Sequence, residues 1–414
     1  MPSSPDGGSV PAITGPTWAQ DVAPLVSQHC SSCHVAGGIA PFALTTYAEA
    51  AEKAPLMAAS VANRSMPPWM PGGATPALEH DRTLTTEQIA VFQQWFENGA
   101  PEGDTAHPAS LPSPEVIPFE NPDVTFDTGV DYVPDSSLTD DYRCFLVDPA
   151  FATAHMATAL KVTPGNRATV HHVIATLFDA ADRAGLQAVD DASAGPGWQC
   201  FGGPVPTNSG LQPSGGLGSW VPGVSALVYP TGTATRVPAG SFVVVQVHYN
   251  LAGGTAPDRT KLELKFAPAG TESSLQPISG IRLIKFNLDI PAGATGHVEE
   301  QALTAKQWTL NRFYADGEGW MIGVAGHMHT RGARIQILQT NAAGEQTLLD
   351  IPHWDFHWQG SYFFKTPIKV VPTDTITIRC TYDNPGATAL AWGEGTADEM
   401  CLAQVQVVDQ LPPH

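Results

Sequence analysis

The sequence predicts a multidomain chain, a small all-α domain followed by two all-β sandwich domains. Three observations predict it. Residues 17–105 carry helical apolar spacing and end in a helix stop signal. The stretch from His107 to Pro122 is rich in Pro and Ser and has no periodicity, which marks a linker over 106–122. From Val124 onward, strand-like runs recur with turn residues between them, the spacing of antiparallel sandwiches. The expected division is a flexible linker over 1–16, the helical domain over 17–105, and sandwiches over 123–275 and 276–411.

Composition agrees. The 414 residues include 39 Gly and 37 Pro with only 14% charged residues, a loop-rich and β-leaning usage, while 43% hydrophobic residues argue against disorder. The formal net charge of −20 argues against nucleic acid or an anionic membrane as partner and suits a cationic redox partner. No apolar run approaches the ~20 residues of a membrane span, so no transmembrane segment is expected. Met1 to Gly8 reads as a polar Pro/Ser/Gly linker, not a signal peptide. The expectation is the mature form of a periplasmic or extracellular protein, with any leader or lipid anchor already lost.

Within the helical domain, Cys30-Ser31-Ser32-Cys33-His34 is the c-type haem attachment pattern. Two thiols one helical turn apart suit two thioether bonds, and His34 suits the proximal iron position. A zinc site would need a second close cysteine pair, which the sequence lacks. A sixth ligand should come from downstream. Met66, in Arg64-Ser65-Met66-Pro67-Pro68-Trp69, is preferred over Met57 and Met70 because the prolines stiffen its loop. Leu84 to Ile89 then opens an amphipathic helix that runs through Trp95 and Phe96 and stops at Asn98-Gly99. Together with Trp18, Asp21-Val22 and Gly37-Gly38-Ile39-Ala40-Pro41-Phe42, these features resemble a class I cytochrome c domain. That resemblance implies a covalently bound haem c that relays single electrons.

The first sandwich shows strand runs at Thr169–Phe178, Ser241–Tyr249 and Lys261–Phe266. It carries three notable histidines, the adjacent pair His171 and His172 and the later His248. Adjacent residues on a regular strand point to opposite faces, so the pair can serve one metal only where the strand ends, bulges or twists. The second sandwich shows runs at Ile281–Leu288, Trp320–Ile337, Ser361–Phe364, Thr375–Tyr382 and Leu402–Val408. Inside the second of these, His327 and His329 are i and i+2 on one strand face, with Met328 pointing away. Met400, in Asp398-Glu399-Met400-Cys401, offers a thioether, a soft ligand that favours Cu(I). Apart from Cys30 and Cys33, the cysteines are Cys144, Cys200, Cys380 and Cys401, an even number that suits two disulfides in an oxidising compartment. Trp354, Phe356 and Trp358 read as one face of a strand in a sandwich core, with the substrate cleft or a haem-to-copper path as the alternative.

In order and spacing, His171, His172, His248, His327, His329 and Met400 resemble the ligands of the copper type II, ascorbate-dependent monooxygenases over about residues 120–408. The resemblance implies two jelly-roll-like sandwiches facing across a wet cleft, and disulfides Cys144–Cys200 and Cys380–Cys401. It implies two copper ions. One, held by His171, His172 and His248, stores and delivers an electron. The other, held by His327, His329 and Met400, is the site of O2 and C–H hydroxylation. The sequence departs from the peptide-amidating branch where that branch holds a substrate carboxylate, because Ala325, Leu402 and Gln404 stand at those positions. Met328-His329-Thr330-Arg331-Gly332 is closer to the dopamine-hydroxylating branch.

The expected function is therefore a copper monooxygenase acting on a neutral or cationic small molecule with O2. The fused haem replaces or supplements ascorbate or another one-electron donor. The rival readings are a periplasmic haem and copper electron-transfer or copper-handling protein without oxygenase activity, and an oxidase that reduces O2 to peroxide. His29, His80, His107, His155, His297, His353, His357 and His414 receive no role.

Overall fold

The computed structural model describes residues 14–36, 40–113, 117, 119–200, 203–206, 208–222, 224–251, 254–308, 318–356, 358–393 and 397–411. The linker residues before 14, Gly37-Gly38-Ile39, His357, Glu394 to Thr396 and His414 lie outside them. The chain divides into two compact units. One comprises Met1–Trp69 and Arg82–Val116, the other Met70–Asp81 and Ile117–His414.

The first unit is helical. A π-helical turn over Trp18–Val22 runs into α1 (Ala23–His29), followed by α2 (Tyr47–Ala62) and α3 (Thr86–Glu97). Capping boxes start α2 and α3: Thr46 pairs with Glu49, and Thr85 with Gln88. Each box satisfies two backbone N–H groups that the first helical turn leaves open. The chain leaves α3 through Asn98 and Gly99, whose φ of +81° is the left-handed conformation glycine adopts without strain. Val22, Val26, Ala50, Met57, Phe92 and Trp95 form the core. The Trp18 N–H donates to Pro101 O at 2.9 Å, tying the two ends of the unit together.

The second unit is built from β-sheets. Its first part contains β1 (Val124–Asp127), β2 (Asp140–Val147), β3 (His155–Thr163), β4 (Val170–Phe178), β5 (Trp198–Gln199) and β6 (Gly215–Trp220). It continues with β7 (Leu227–Val228), β8 (Thr233–Val237), β9 (Phe242–Asn250), β10 (Lys261–Phe266) and β11 (Gln276–Pro277). A six-stranded sheet runs β1-β10-β3-β8-β11 with β7 beside β3, and a five-stranded sheet runs β5-β2-β9-β4-β6. Because β11 pairs with β8, the first sandwich extends past residue 275 to Pro277.

The second part contains β12 (Ser279–Ile284), β13 (Asp289–Ile290), β14 (Ala294–Thr304), β15 (Gly319–His327) and β16 (Gly332–Asn341). After them come β17 (Gly344–Ile351), β18 (Ser361–Val370), β19 (Thr375–Asn384), β20 (Leu390–Ala391) and β21 (Leu402–Val408). Its main sheets are β12-β21-β15-β18 and β14-β19-β16-β17. Disulfides join Cys144 to Cys200 and Cys380 to Cys401, with Cα atoms 5.7 and 5.9 Å apart. Among the described residues no helix is long and apolar enough to cross a membrane.

Three expectations change. The run Trp320–Ile337 is two strands, because the chain turns at Met328–Arg331, so His329 lies just beyond β15. Trp354, Phe356 and Trp358 lie in no strand: the Trp358 N–H closes a turn onto Asp355 O at 3.1 Å. Residues Met70–Asp81, expected in the helical domain, group with the β-sheets. The physical reason is backbone pairing on an open strand edge. Leu78 bridges Phe364, Glu79 N–H donates to Phe363 O at 2.8 Å, and Lys365 N–H donates to Ala77 O at 2.9 Å. An edge strand carries a row of unsatisfied backbone groups, and this strap satisfies part of that row on β18.

Candidate metal centres

His171, His172 and His248 come together because β4 is irregular. β4 pairs with β9 through Val170↔Tyr249 and His172↔His248, and the register shifts between them. The extra residue of this bulge is His171, and a bulge re-aims the side chains beside it. Strand alternation alone would have separated the pair. One nitrogen from each of the three rings lies within 4.8 Å of the others. The Nδ1 atoms of His172 and His248 are 3.4 Å apart. Two nitrogens at that spacing, each about 2.0 Å from an ion, subtend an angle of roughly 110°, which suits a metal ion bound by imidazoles. The residues present therefore fit a metal.

Neighbouring groups orient this set. His248 is fully buried and its Nε2 lies 2.8 Å from Asp140 Oδ1, which leaves Nδ1 to face His172. Tyr142, beside His248 on β2, stacks on the same ring at 4.0 Å with planes 8° apart. The bond to His248 holds the Asp140 carboxyl below the usual range. Desolvation, with the charges of His248, His171 and His327 adding to it, holds His172 well below the usual imidazole range. A neutral imidazole is the ligand form.

The second set is built where β15 ends. His327 pairs with Leu402 on β21, and the Glu399 carboxylate accepts the N–H groups of both His329 and Met400. The rings of His327 and His329 lie 5.2 Å apart and nearly perpendicular. Met328 is fully buried, away from them. His327 Nδ1 is 2.6 Å from Gln359 Oε1, and His329 Nδ1 is 3.0 Å from Asp398 O. With Nδ1 engaged in this way, Nε2 is the nitrogen of each ring that a metal would take, the arrangement in which a partner at one nitrogen sets the tautomer at the other. Desolvation, aided by the His329 charge, pushes His327 down to about 4. The donor set of two imidazoles and a thioether fits copper.

Glu399 holds this second set together. It is fully buried and accepts the N–H groups of His329 at 2.9 Å, Arg331 at 2.6 Å and Met400 at 3.2 Å. Burial pushes its carboxyl up to about 7, against the pull of those donors. Tyr382 Oη donates to Met400 O at 2.8 Å, and Trp354 Nε1 donates to His329 O at 3.0 Å. Ala325 pairs with Gln404, two residues along the same strands from His327 and Leu402.

In the helical unit, Cys30 and Cys33 are free thiols in the turn that follows α1, rather than inside the helix. The Cys33 and His34 N–H groups both donate to Cys30 O, at 3.1 and 2.9 Å. His34 Nδ1 is 3.0 Å from Phe42 O, leaving Nε2 for a ligand, which fits a proximal histidine. Burial raises the Cys30 thiol to about 12, with Cys33 adding to the shift. Met66 lies in the loop after α2 of this unit. Of the alternatives, Met57 packs in the helical core, and Met70 accepts the Asp355 N–H at 3.4 Å in the other unit.

Sequence reasoning missed Asp140, Gln359 and Glu399. Asp140 lies 108 residues from His248 and no spacing rule links them. Glu399 had a local signal, a carboxylate abutting Met400 and Cys401 just before an apolar strand.

No curated protein matches the chain. Among solved structures, naturally empty particles of cowpea mosaic virus align at 9% identity and TM-score 0.25, over 70% of this chain and 89% of that one. A Paenibacillus xanthan lyase aligns at 14% identity and TM-score 0.15, over 73% and 27%. The VP2 subviral particle of infectious bursal disease virus aligns at 9% identity and TM-score 0.19, over 69% and 71%. At these scores none bears on the fold or the chemistry. Residues 302–410 match the family described as copper type II ascorbate-dependent monooxygenase, C-terminal domain. That match covers His327, His329 and Met400, and it supports the copper type II ascorbate-dependent monooxygenase family for this chain.

Proposed function

We propose that this protein is a copper-dependent monooxygenase that hydroxylates a C–H bond of a small organic substrate with O2, using electrons relayed by a c-type haem on residues 17–105. The observation that carries the reading is the paired ligand geometry. Three histidines from the first sandwich bring ring nitrogens within 4.8 Å of one another, and His248, His327 and His329 each have one ring nitrogen fixed by a neighbour. Copper bound there supplies one-electron redox chemistry and the reduction of O2.

The residues divide the work by softness and shielding. His327, His329 and Met400 hold the substrate-oxidising copper, since a thioether favours Cu(I), the form that reacts with O2. His171, His172 and His248 hold the electron-storing copper. Asp140, Gln359 and the Asp398 carbonyl keep the imidazoles oriented and in one tautomer. Cys30 and Cys33 tether the haem, His34 binds its iron with Phe42 O fixing the ring, and Met66 completes the ligation. Covalent fusion keeps this carrier at roughly millimolar effective concentration for an enzyme that needs single electrons. With Ala325, Leu402 and Gln404 at the positions where the resembled peptide-amidating branch holds a substrate carboxylate, the clamp is missing, which favours a neutral or cationic small molecule over a peptide with a C-terminal glycine. The compartment is periplasmic or extracellular, consistent with the two disulfides.

The test is an anaerobic stopped-flow experiment on copper-loaded full chain with the haem reduced beforehand, mixed with O2 while the haem band is followed. Haem oxidation that requires copper and disappears in Met400→Ala supports the relay. Haem that stays reduced with both histidine sets metal-loaded overturns it. Product formed in proportion to O2 consumed separates a monooxygenase from an oxidase or a carrier.

A further inference from the structure

Phe356 is the residue in which the two histidine sets meet. Its ring stacks on His171 with centroids 5.9 Å apart and planes 19° apart. The same ring meets His329 edge-on at 6.0 Å and 82°. His171 comes from β4 of the first sandwich and His329 from the turn after β15 of the second. The loop around Phe356 is itself fixed to the second set. Trp354 Nε1 donates to His329 O at 3.0 Å, Gln359 Oε1 lies 2.6 Å from His327 Nδ1, and Gln359 Nε2 donates to Phe356 O at 3.0 Å. On its outer side, the Asp355 N–H donates to Met70 Sδ at 3.4 Å, so the strap also holds the loop. Sequence reasoning placed Phe356 in a sandwich core; it is instead a half-buried ring with one metal-facing imidazole on each side.

We propose that Phe356 is a positioning residue shared by the two centres, fixing one imidazole in each and so coupling metal binding at one to metal binding at the other. This rests on the copper reading above. A ring packed on both ligands cannot tilt to follow one without moving against the other, because a close-packed contact has few alternative arrangements. A reorientation of the His329 ring on metal binding would therefore move Phe356 and change the position open to His171. Such coupling is reciprocal, so copper at either centre changes affinity at the other by the same factor.

The experiment is a Cu(II) titration of the full chain followed by electron paramagnetic resonance, in wild type, Phe356→Ala, Phe356→Leu and Phe356→Tyr. Wild type should bind two copper ions per chain with two distinguishable hyperfine patterns. Phe356→Ala should shift both patterns and weaken both sites by about 10-fold, the lower end of the loss seen when a group supporting a ligand is removed. Phe356→Leu, which keeps bulk without a ring and guards against misfolding of the alanine variant, should shift both patterns in the same way. Phe356→Tyr, which keeps the ring, should leave both near wild type. In a His172→Ala background, affinity at the His327, His329 and Met400 set should change when Phe356 is present and stay constant when it is alanine. If wild type binds two ions and either pattern is untouched in both ring-less variants, the shared role is overturned and the copper reading stands. If wild type binds fewer than two, both fall together.

Discussion

His172 and His248 face each other across the β4–β9 ladder with Nδ1 atoms 3.4 Å apart, and a carboxylate grips the far side of His248, Asp140 Oδ1 at 2.8 Å from Nε2. The pair is oriented before any metal arrives. Removing the carboxylate frees the His248 ring to adopt the other tautomer. Asp140→Ala should cost about 10–100-fold in copper affinity at the three-histidine centre and change the His327 centre by less, since it reaches that centre only through Phe356. Site-resolved copper titration measures both, and equal affinity in variant and wild type would refute the role.

Glu399 supplies a second test. Its carboxylate accepts three backbone N–H groups from the segments that carry His329 and Met400. Glu399→Ala leaves those donors without it in a buried setting, and each such loss costs about 1–3 kcal/mol. The expected result is a destabilisation of at least about 3 kcal/mol by denaturant unfolding, together with loss of copper at that centre. Glu399→Gln keeps one acceptor and should lose less.

The strap gives a third. Asp350 makes a two-pronged ion pair with Arg334 at 2.8 and 2.7 Å, while its backbone accepts from Gly72 N–H and donates to Thr75 Oγ1, both at 2.8 Å. Gly73 has φ +55°, and a Cβ there would run into the Asp350 carboxylate. Gly73→Val should therefore dislodge the strap while the sheets stay folded. Limited proteolysis should cut the variant within residues 70–81 many times faster than wild type, with unfolding midpoints of the β-sheets within a few degrees. Equal cleavage rates would show that the β18 edge contacts alone hold the strap.

The disulfide beside Met400 gives a fourth. Cys380 and Cys401 are 21 residues apart, a loop whose closure stabilises by about 3 kcal/mol in the chain-entropy account. The double variant Cys380→Ser, Cys401→Ser should lose about that much stability. It should also lose copper at the His327, His329 and Met400 set before the three-histidine set, because Met400 is the residue next to the bond. Loss of both metals in parallel would mean that the disulfide acts on global stability only.

Much of the site was readable as spacing. His327 and His329 at i and i+2, the Met400-Cys401 pair and the Cys30-x-x-Cys33-His34 pattern are local signals, because strand and helix periods act over a few residues. β10 and β21 begin and end where their apolar runs do, at Lys261–Phe266 and Leu402–Val408. The run through Met328 was misjudged because apolar character continues across the turn, and the backbone reversal there is set by Glu399, 70 residues away from His329. The aromatic stripe differs for a related reason: alternating aromatics satisfy a strand pattern, yet the Asp355 N–H is held by Met70 and the Trp354 ring by the histidine turn.

By itself the sequence determined the kinds of element, the disulfide-bearing β architecture and the residue types that suit haem and copper. Those follow from periodicity and donor chemistry, which are properties of short segments. Only the tertiary structure decided that His171 and His172 act together, through a bulge that breaks strand alternation. It also decided which nitrogen of His248, His327 and His329 is held, by Asp140, Gln359 and Asp398, and that Phe356 touches both sets. A hydrogen bond of about 3 Å joins residues without regard to their distance along the chain, so no spacing rule encodes it.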